Sequence, residues 1–220
     1  MSEKKRCCLN CYEYGHNKRS CKKIKVDKIK NLNSYMEIKY LNSYMEMIDI
    51  KIRNVLLRPE KNILTYDILD INKTIKNKLI TLKEKQFRMK IGEIWQIILG
   101  NYYGWENLKI GNEYGLDIIS HTKKIAIELK NRTNTDNSSS RQTNFNKLVK
   151  FKKDNPSYIC IYACINADNE EKTYNTKFEK IIHNGFEIEK HTGYEFIKFI
   201  LGNDTDKIIK FTKSVIEKYI

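Results

Sequence analysis

Gly115-Leu116-Asp117-Ile118-Ile119-Ser120-His121-Thr122-Lys123-Lys124-Ile125-Ala126-Ile127-Glu128-Leu129-Lys130 is the stretch that decides the fold. Gly115 to Ser120 reads as a short strand and His121 to Lys124 as a polar hairpin turn. Ile125 to Lys130 reads as a second strand, apolar enough to lie inside a sheet. Side chains alternate along a strand, so Glu128 and Lys130 share one face while Ile127 and Leu129 share the other. A charged pair in an apolar strand is expensive unless something compensates it. An antiparallel hairpin closed at 121–124 brings Asp117 near Glu128. Two carboxylates held side by side repel unless they share a cation, and together they make a hard oxygen site suited to Mg2+. Lys130 beside them can orient or help deprotonate a water, or steady negative charge on a phosphate. These are the parts that metal-assisted phosphodiester hydrolysis requires. The plain alternative is a surface-strand ion pair between Glu128 and Lys130, worth very little.

Upstream, Ile91-Gly92-Glu93-Ile94-Trp95-Gln96-Ile97-Ile98-Leu99-Gly100 reads as a buried amphipathic helix closed by Gly100 as its C-terminal cap. Tyr103 to Leu108 is turn-rich. Downstream, Asn131 to Ser140 reads as a polar loop leaving the second strand. Asn144 to Lys153 reads as a helix with Phe145, Leu148 and Phe151 inward and Lys147, Lys150 and Lys153 outward. Loop and basic helix make a candidate nucleic-acid surface, with Asn131, Arg132, Ser138, Ser139 and Arg141 offering donors to phosphate oxygens and base edges. An ordinary solvated helix is the bland alternative. Tyr158 to Asn166 reads as a core strand in which Cys160 and Cys164 pack as small apolar residues. Helices are expected around Tyr194–Leu201 and Asp206–Tyr219, and His183 and His191 are expected at the surface.

The pattern Asp117-x10-Glu128-x-Lys130 resembles the active site of the PD-(D/E)XK nuclease superfamily, with Leu116 in place of the usual proline. Ile91-Gly92-Glu93, Leu99-Gly100, Gly104-Trp105-Glu106, Asp117, Ile127 to Asn131 and Asn134 to Ser140 together resemble type II restriction endonucleases that cleave GGNCC-type sites. This second resemblance spans roughly residues 88–165. It implies an α/β fold with a restriction-endonuclease-like core, a mixed central sheet flanked by helices. It also implies a Mg2+ requirement and cleavage of double-stranded DNA, commonly as a homodimer. By the same resemblance Glu93 is a candidate further metal-site carboxylate. Its alternative is a helix-surface glutamate beside Trp95.

The charge agrees with a polyanionic partner. Lys and Arg total 41 against 27 Asp and Glu, a formal net charge of +14 over 220 residues. Residues 1–30 hold ten basic side chains (Lys4, Lys5, Arg6, Lys18, Arg19, Lys22, Lys23, Lys25, Lys28, Lys30) and three acidic ones (Glu3, Glu13, Asp27), or +7, half of that total. Within them Cys8, Cys11, His16 and Cys21 have the spacing C-x2-C-x4-H-x4-C. Three thiolates and an imidazole can close a structural Zn2+ site, whose binding would supply the folding energy of so short a segment. The segment resembles the retroviral-type zinc knuckle, with Gly15 before the histidine and basic Lys18 and Arg19 after it; it departs at Tyr12, where glycine is usual. The resemblance implies a grip on single-stranded nucleic acid, in which Tyr12 and Tyr14 can stack on bases. A disordered basic tail with incidental cysteines is the alternative.

No apolar run approaches the ~20 residues of a membrane span. The first residues lack the apolar stretch of a secretory signal. Four of the six cysteines crowd into the first 21 residues and none pairs obviously with Cys160 or Cys164, so no disulfide framework is expected. The expectation is an intracellular protein that does not engage membranes. Residues 1–25 are expected to be the knuckle and basic arm, 26–85 a helical connecting region, and 86–220 the nuclease core. In the connecting region Leu32 to Glu37 recurs as Leu41 to Glu46, a local duplication within a helix. Met36, Tyr40, Met47 and Ile48 fit a helical stripe, and Arg58-Pro59 a break. Two other functions stand beside a restriction enzyme. One is a repair, recombination or mobile-element nuclease acting on branched or single-stranded DNA, which the knuckle favours. The other is a catalytically idle nucleic-acid-binding protein, which the intact acid–acid–lysine set disfavours.

Overall fold

The hairpin forms, and the sheet is built outward from it. The computed structural model describes residues 22–59, 75–108, 111–132, 138–166 and 178–219, with side chains from 37 onward in the first segment and from 78 in the second. Strand β2 (Ile118–Ser120) pairs antiparallel with β3 (Ile125–Arg132), Ile118 opposite Ile127 and Ser120 opposite Ile125. Ser120 ties the turn together: its hydroxyl donates to the Gly104 carbonyl at 2.6 Å and accepts the Lys123 N–H at 3.3 Å.

β3 and β4 (Ile159–Asn166) run parallel. Parallel neighbours need a crossover, which helix α3 (Ser138–Asp154) supplies. β4 is also parallel to β6 (Phe186–Thr192), and β5 (Glu179–His183) lies antiparallel along its outer side. The two-residue β1 (Glu106–Asn107) pairs antiparallel with β2. The six strands lie in the order β1-β2-β3-β4-β6-β5. This mixed sheet with its helices is the α/β arrangement that the sequence implies for a restriction-endonuclease-like core.

Helix α3 turns Phe145, Leu148, Val149 and Phe151 onto Ala126, Cys160, Tyr162 and Ile188 of the sheet, at the three- and four-residue spacing of a helical stripe. Helix α2 (Ile75–Gly100) packs against β3, and α4 (Gly193–Leu201) against β4. They bury Ile94, Ile98, Leu99, Phe196, Ile197, Ile200 and Leu201. A 3-10 turn (Gly202–Asp204) leads into α5 (Thr205–Glu217). Cys160 and Cys164 are free thiols buried in β4, as expected, and burial raises the Cys160 thiol to about 11.

The chain divides into two compact units, Met1–Glu46 and Met47–Ile220. Helix α1 (Lys22–Leu56) contains both copies of the duplicated hexapeptide and ends before Arg58-Pro59. Lys90 caps its last turn, donating to the Leu56 carbonyl at 2.9 Å and the Arg58 carbonyl at 3.2 Å. Positions 25 and 85 lie inside α1 and α2. Among the described residues no helix is long and apolar enough to cross a membrane.

Four expectations are corrected. The buried stripe of α1 is Leu41, Tyr44, Ile48, Ile52 and Val55; Tyr40 is exposed and stacks on Tyr44. Gly100 does not end α2 through a left-handed cap, for it is helical itself. Glycine is needed there because a Cβ would stand 2.7 Å from that of Asn107. Ser138 to Ser140 form the first turn of α3 rather than a loop. Short hydroxyl and amide side chains favour helix starts as well as turns. His191 is buried, not at the surface, with Nε2 2.8 Å from Glu189 Oε2 and its ring stacked on Phe178 at 3.7 Å. Burial lowers its pKa. Its position on β6, beside β4, accounts for this: Ala163 is its partner in register. His183 is half-buried and lies 3.0 Å from Asn146 Oδ1.

Candidate active site

Asp117 stands where β2 has not yet begun. Its N–H donates to the Ile127 carbonyl at 3.0 Å, while its Oδ2 accepts the Leu129 N–H at 2.7 Å. The carboxylate thus takes the place of a backbone acceptor at the open end of the hairpin. Its other oxygen, Oδ1, accepts a 2.8 Å hydrogen bond from Gln96 Nε2 on α2. The side chain is locked by a strand on one side and a helix on the other.

Glu128 follows from the alternation of β3. It is 2% exposed, and its Oε1 lies 2.9 Å from Lys130 Nζ and 3.3 Å from Lys147 Nζ. Its Oε2 is buried and has no hydrogen-bond partner among the described residues. Burial, and then the negative charge of Glu128, push the Asp117 carboxyl up to about 6. The Leu129 N–H and the two lysines pull the other way without cancelling the rise. Two acids therefore share a site in which one resists ionising.

These donors fit a hard divalent cation. An orphaned carboxylate oxygen in a buried position is a costly group that a cation would satisfy. Among the described residues no group of three or more His, Cys, Asp and Glu side chains gathers as a metal site. Magnesium, however, is commonly held by only one or two carboxylates, with water and substrate phosphate completing its shell.

The structure therefore brings together Asp117, Glu128 and Lys130, all expected. It adds Gln96 and Lys147, which were not. Lys147 belongs to the three lysines expected to point outward, and that expectation is corrected. Its side chain turns back to Glu128, while Lys150 and Lys153 lie over the rings of Tyr114 and Phe186. Glu93 is engaged elsewhere: Arg58 grips both of its carboxylate oxygens at 2.9 Å. Asn131 is half-buried and ties β3 to β4, its carbonyl and Oδ1 accepting from Asn166 Nδ2 at 3.0 and 2.9 Å. Arg132, Ser138, Ser139 and Arg141 are exposed, at the end of β3 and on the first turns of α3. Cys8, Cys11, His16, Cys21, Tyr12, Tyr14, Lys18 and Arg19 lie outside the described residues.

Comparison with curated proteins gives no match. The model of one protein family, described as Eco47II restriction endonuclease, matches residues 18–220, which include every residue of this cluster. Cys8, Cys11 and His16 precede the matched span. A mixed sheet, an acid pair at an open hairpin and a match over nearly the whole chain lead to one conclusion: the chain belongs to the Eco47II restriction endonuclease family.

Proposed function

We propose that this DNA endonuclease is a Mg2+-dependent, type II enzyme that hydrolyses both strands of duplex DNA at a GGNCC-type site, acting as a homodimer. The observation that carries the metal requirement is the buried Oε2 of Glu128, beside Asp117, which has no hydrogen-bond partner among the described residues. Asp117 and Glu128 would hold the ion, with Asp117 fixed in place by Gln96 and the Leu129 N–H. A bound Mg2+ would polarise the scissile phosphate and lower the pKa of a water. Lys130 stands beside Glu128, where it can orient that water and oppose the charge that builds on phosphate. Arg132, Ser138, Ser139 and Arg141 would contact the backbone of the duplex nearby. The N-terminal Cys8, Cys11, His16 and Cys21 would hold a structural Zn2+, and Tyr12, Tyr14, Lys18 and Arg19 would add a grip on nucleic acid.

The test is digestion of a defined plasmid with Mg2+, with EDTA as control, followed by mapping of the ends. Discrete bands with ends at one repeated sequence are expected, and none with EDTA. A smear, or bands that persist in EDTA, would overturn the reading. The CCHC spacing favours a second reading, a nuclease for branched or single-stranded DNA. Flap and single-stranded substrates assayed in parallel decide between them. Metal analysis of the purified chain is expected to give one zinc per chain, lost in Cys11→Ser.

Gln96→Leu keeps the volume of the side chain and removes the donor to Asp117. Groups that orient metal ligands are typically worth about 10- to 100-fold in affinity or activity. A fall in cleavage rate of about tenfold at fixed Mg2+ is expected, measured by initial rates; an unchanged rate would show that Asp117 needs no support from α2.

A further inference from the structure

Lys147 is the group in this site that the acid–acid–lysine pattern does not account for. It reaches Glu128 from α3, not from the hairpin, and its Nζ lies 3.3 Å from Oε1. Lys130 approaches the same oxygen to 2.9 Å. Two cationic groups from different elements thus converge on one carboxylate oxygen, while the other oxygen has no partner among the described residues.

The approach of Lys147 is built into the fold. It lies on the flank of the helical face that buries Asn144, Leu148 and Phe151. Its stem lies over Gly115, where a Cβ would meet Lys147 Cε at 3.4 Å and Cδ at 3.6 Å. Gly115 has a φ of +64°, the left-handed region, and stands two residues before Asp117. The turn that delivers the first acid therefore also seats the second lysine. The Lys147 side chain is 33% exposed, so the ammonium borders solvent while its stem packs.

Electrostatics gives this arrangement a consequence. Two lysines balance two carboxylates, so the free site has little net attraction for a cation. A duplex brings phosphates, which compete for the same ammonium groups. Resting on the nuclease reading above, we propose that Lys147 is a second catalytic cation, which moves from Glu128 Oε1 to a non-bridging oxygen of the scissile phosphate as a divalent cation takes its place at Glu128. Cation and DNA binding are then linked: each strengthens the other by the same factor. No bond is made or broken in this exchange; the charges change partners.

The test is calorimetry of Ca2+ binding to the full chain, alone and with a duplex oligonucleotide carrying the mapped cleavage site. In the wild type, the duplex is expected to tighten Ca2+ binding at least tenfold. Lys147→Met keeps the stem over Gly115 and removes the charge. In that variant the free protein is expected to bind Ca2+ several-fold more tightly than wild type, and the enhancement by DNA is expected to shrink. Its kcat with Mg2+ is expected to fall about a hundredfold, with a smaller change in KM. Lys147→Arg is expected to restore the linkage in part, and Lys213→Met, on the exposed face of α5, to leave all these quantities unchanged. A packing role for Lys147 predicts none of this: if Lys147→Met leaves both Ca2+ affinity and its dependence on DNA as in wild type, the proposal is overturned. Glu128→Gln separates the two levels. Ca2+ binding by that variant as tight as in wild type would remove the cation site itself, and Lys147's part with it; weakened binding retains the site and leaves Lys147→Met to decide.

Discussion

Glu128→Gln is expected to abolish cleavage of duplex DNA, by at least about a thousandfold, in a protein that stays folded and still binds DNA. The size follows from what the carboxylate would hold. A metal ion acting on phosphate contributes several kcal/mol to the transition state, and each ~1.4 kcal/mol is tenfold in rate. The tolerance of the fold follows from the surroundings of the side chain. Glutamine keeps an oxygen for Lys130 and Lys147, whose side chains are 24% and 33% exposed and can turn to water. It also removes a buried charge whose second oxygen is unpartnered among the described residues. Removing one partner of a buried pair is costly when the other charge stays buried, and here both ammonium groups border solvent, which lowers that cost. Asp117→Asn is expected to behave alike. An asparagine oxygen can accept the Leu129 N–H, while its NH2 faces a Gln96 amide turned over to present Oε1. The checks are single-turnover cleavage, a gel-shift assay without Mg2+, and thermal melting. A variant that melts far below wild type, or that still cuts at a tenth of its rate, would remove Glu128 from the centre of the chemistry.

Acid is expected to switch the enzyme off through Asp117. Its carboxyl, raised to about 6, must lose a proton before it can hold a cation. At low fixed Mg2+ the cleavage rate is expected to rise about tenfold per pH unit up to about pH 6 and then level. Saturating Mg2+ competes with the proton and moves that midpoint down. The same shift acts on stability with the opposite sign. The folded carboxyl holds its proton more tightly than the unfolded one, so its contribution is complete below about pH 4 and is lost as pH climbs through about 6. Metal-free protein is thus expected to lose part of its melting temperature between pH 4 and 7, and Mg2+ to restore it. Asp117→Asn is expected to flatten that part of the curve. An unshifted curve in the variant would assign the pH dependence to other groups.

What the sequence made legible, and what it hid, follows from the range of each signal. The β2–β3 hairpin and the Asp117–Glu128–Lys130 set were readable because a period of two and a four-residue turn are local and fix which side chains share a face. Helix α3 was readable as a helix, but Lys147 was misplaced. Inward and outward are one arc apart on a helix, and a long stem on the flank of the buried face can turn either way. Gln96 carried no charge pattern, and only the packing of α2 on the sheet brings its amide to Asp117. Glu93 stands three residues earlier on the same helix, and Arg58 holds it; no local pattern couples those two. His191 was misjudged because burial at the end of β6 depends on β4 beside it and on Phe178, a residue distant in sequence.

The hairpin also sets the order in which the site can assemble. Asp117 and Glu128 are joined by a short loop, so their meeting has low contact order and a small closure entropy. Lys147 reaches them only once α3 has crossed over the sheet, and β4 can pair with β3 only after that same crossover. The mutual repulsion of the acids is therefore present in the earliest local structure, before α3 arrives with its counter-charge. A divalent cation, or a pH low enough to protonate Asp117, would favour folding from its first local step.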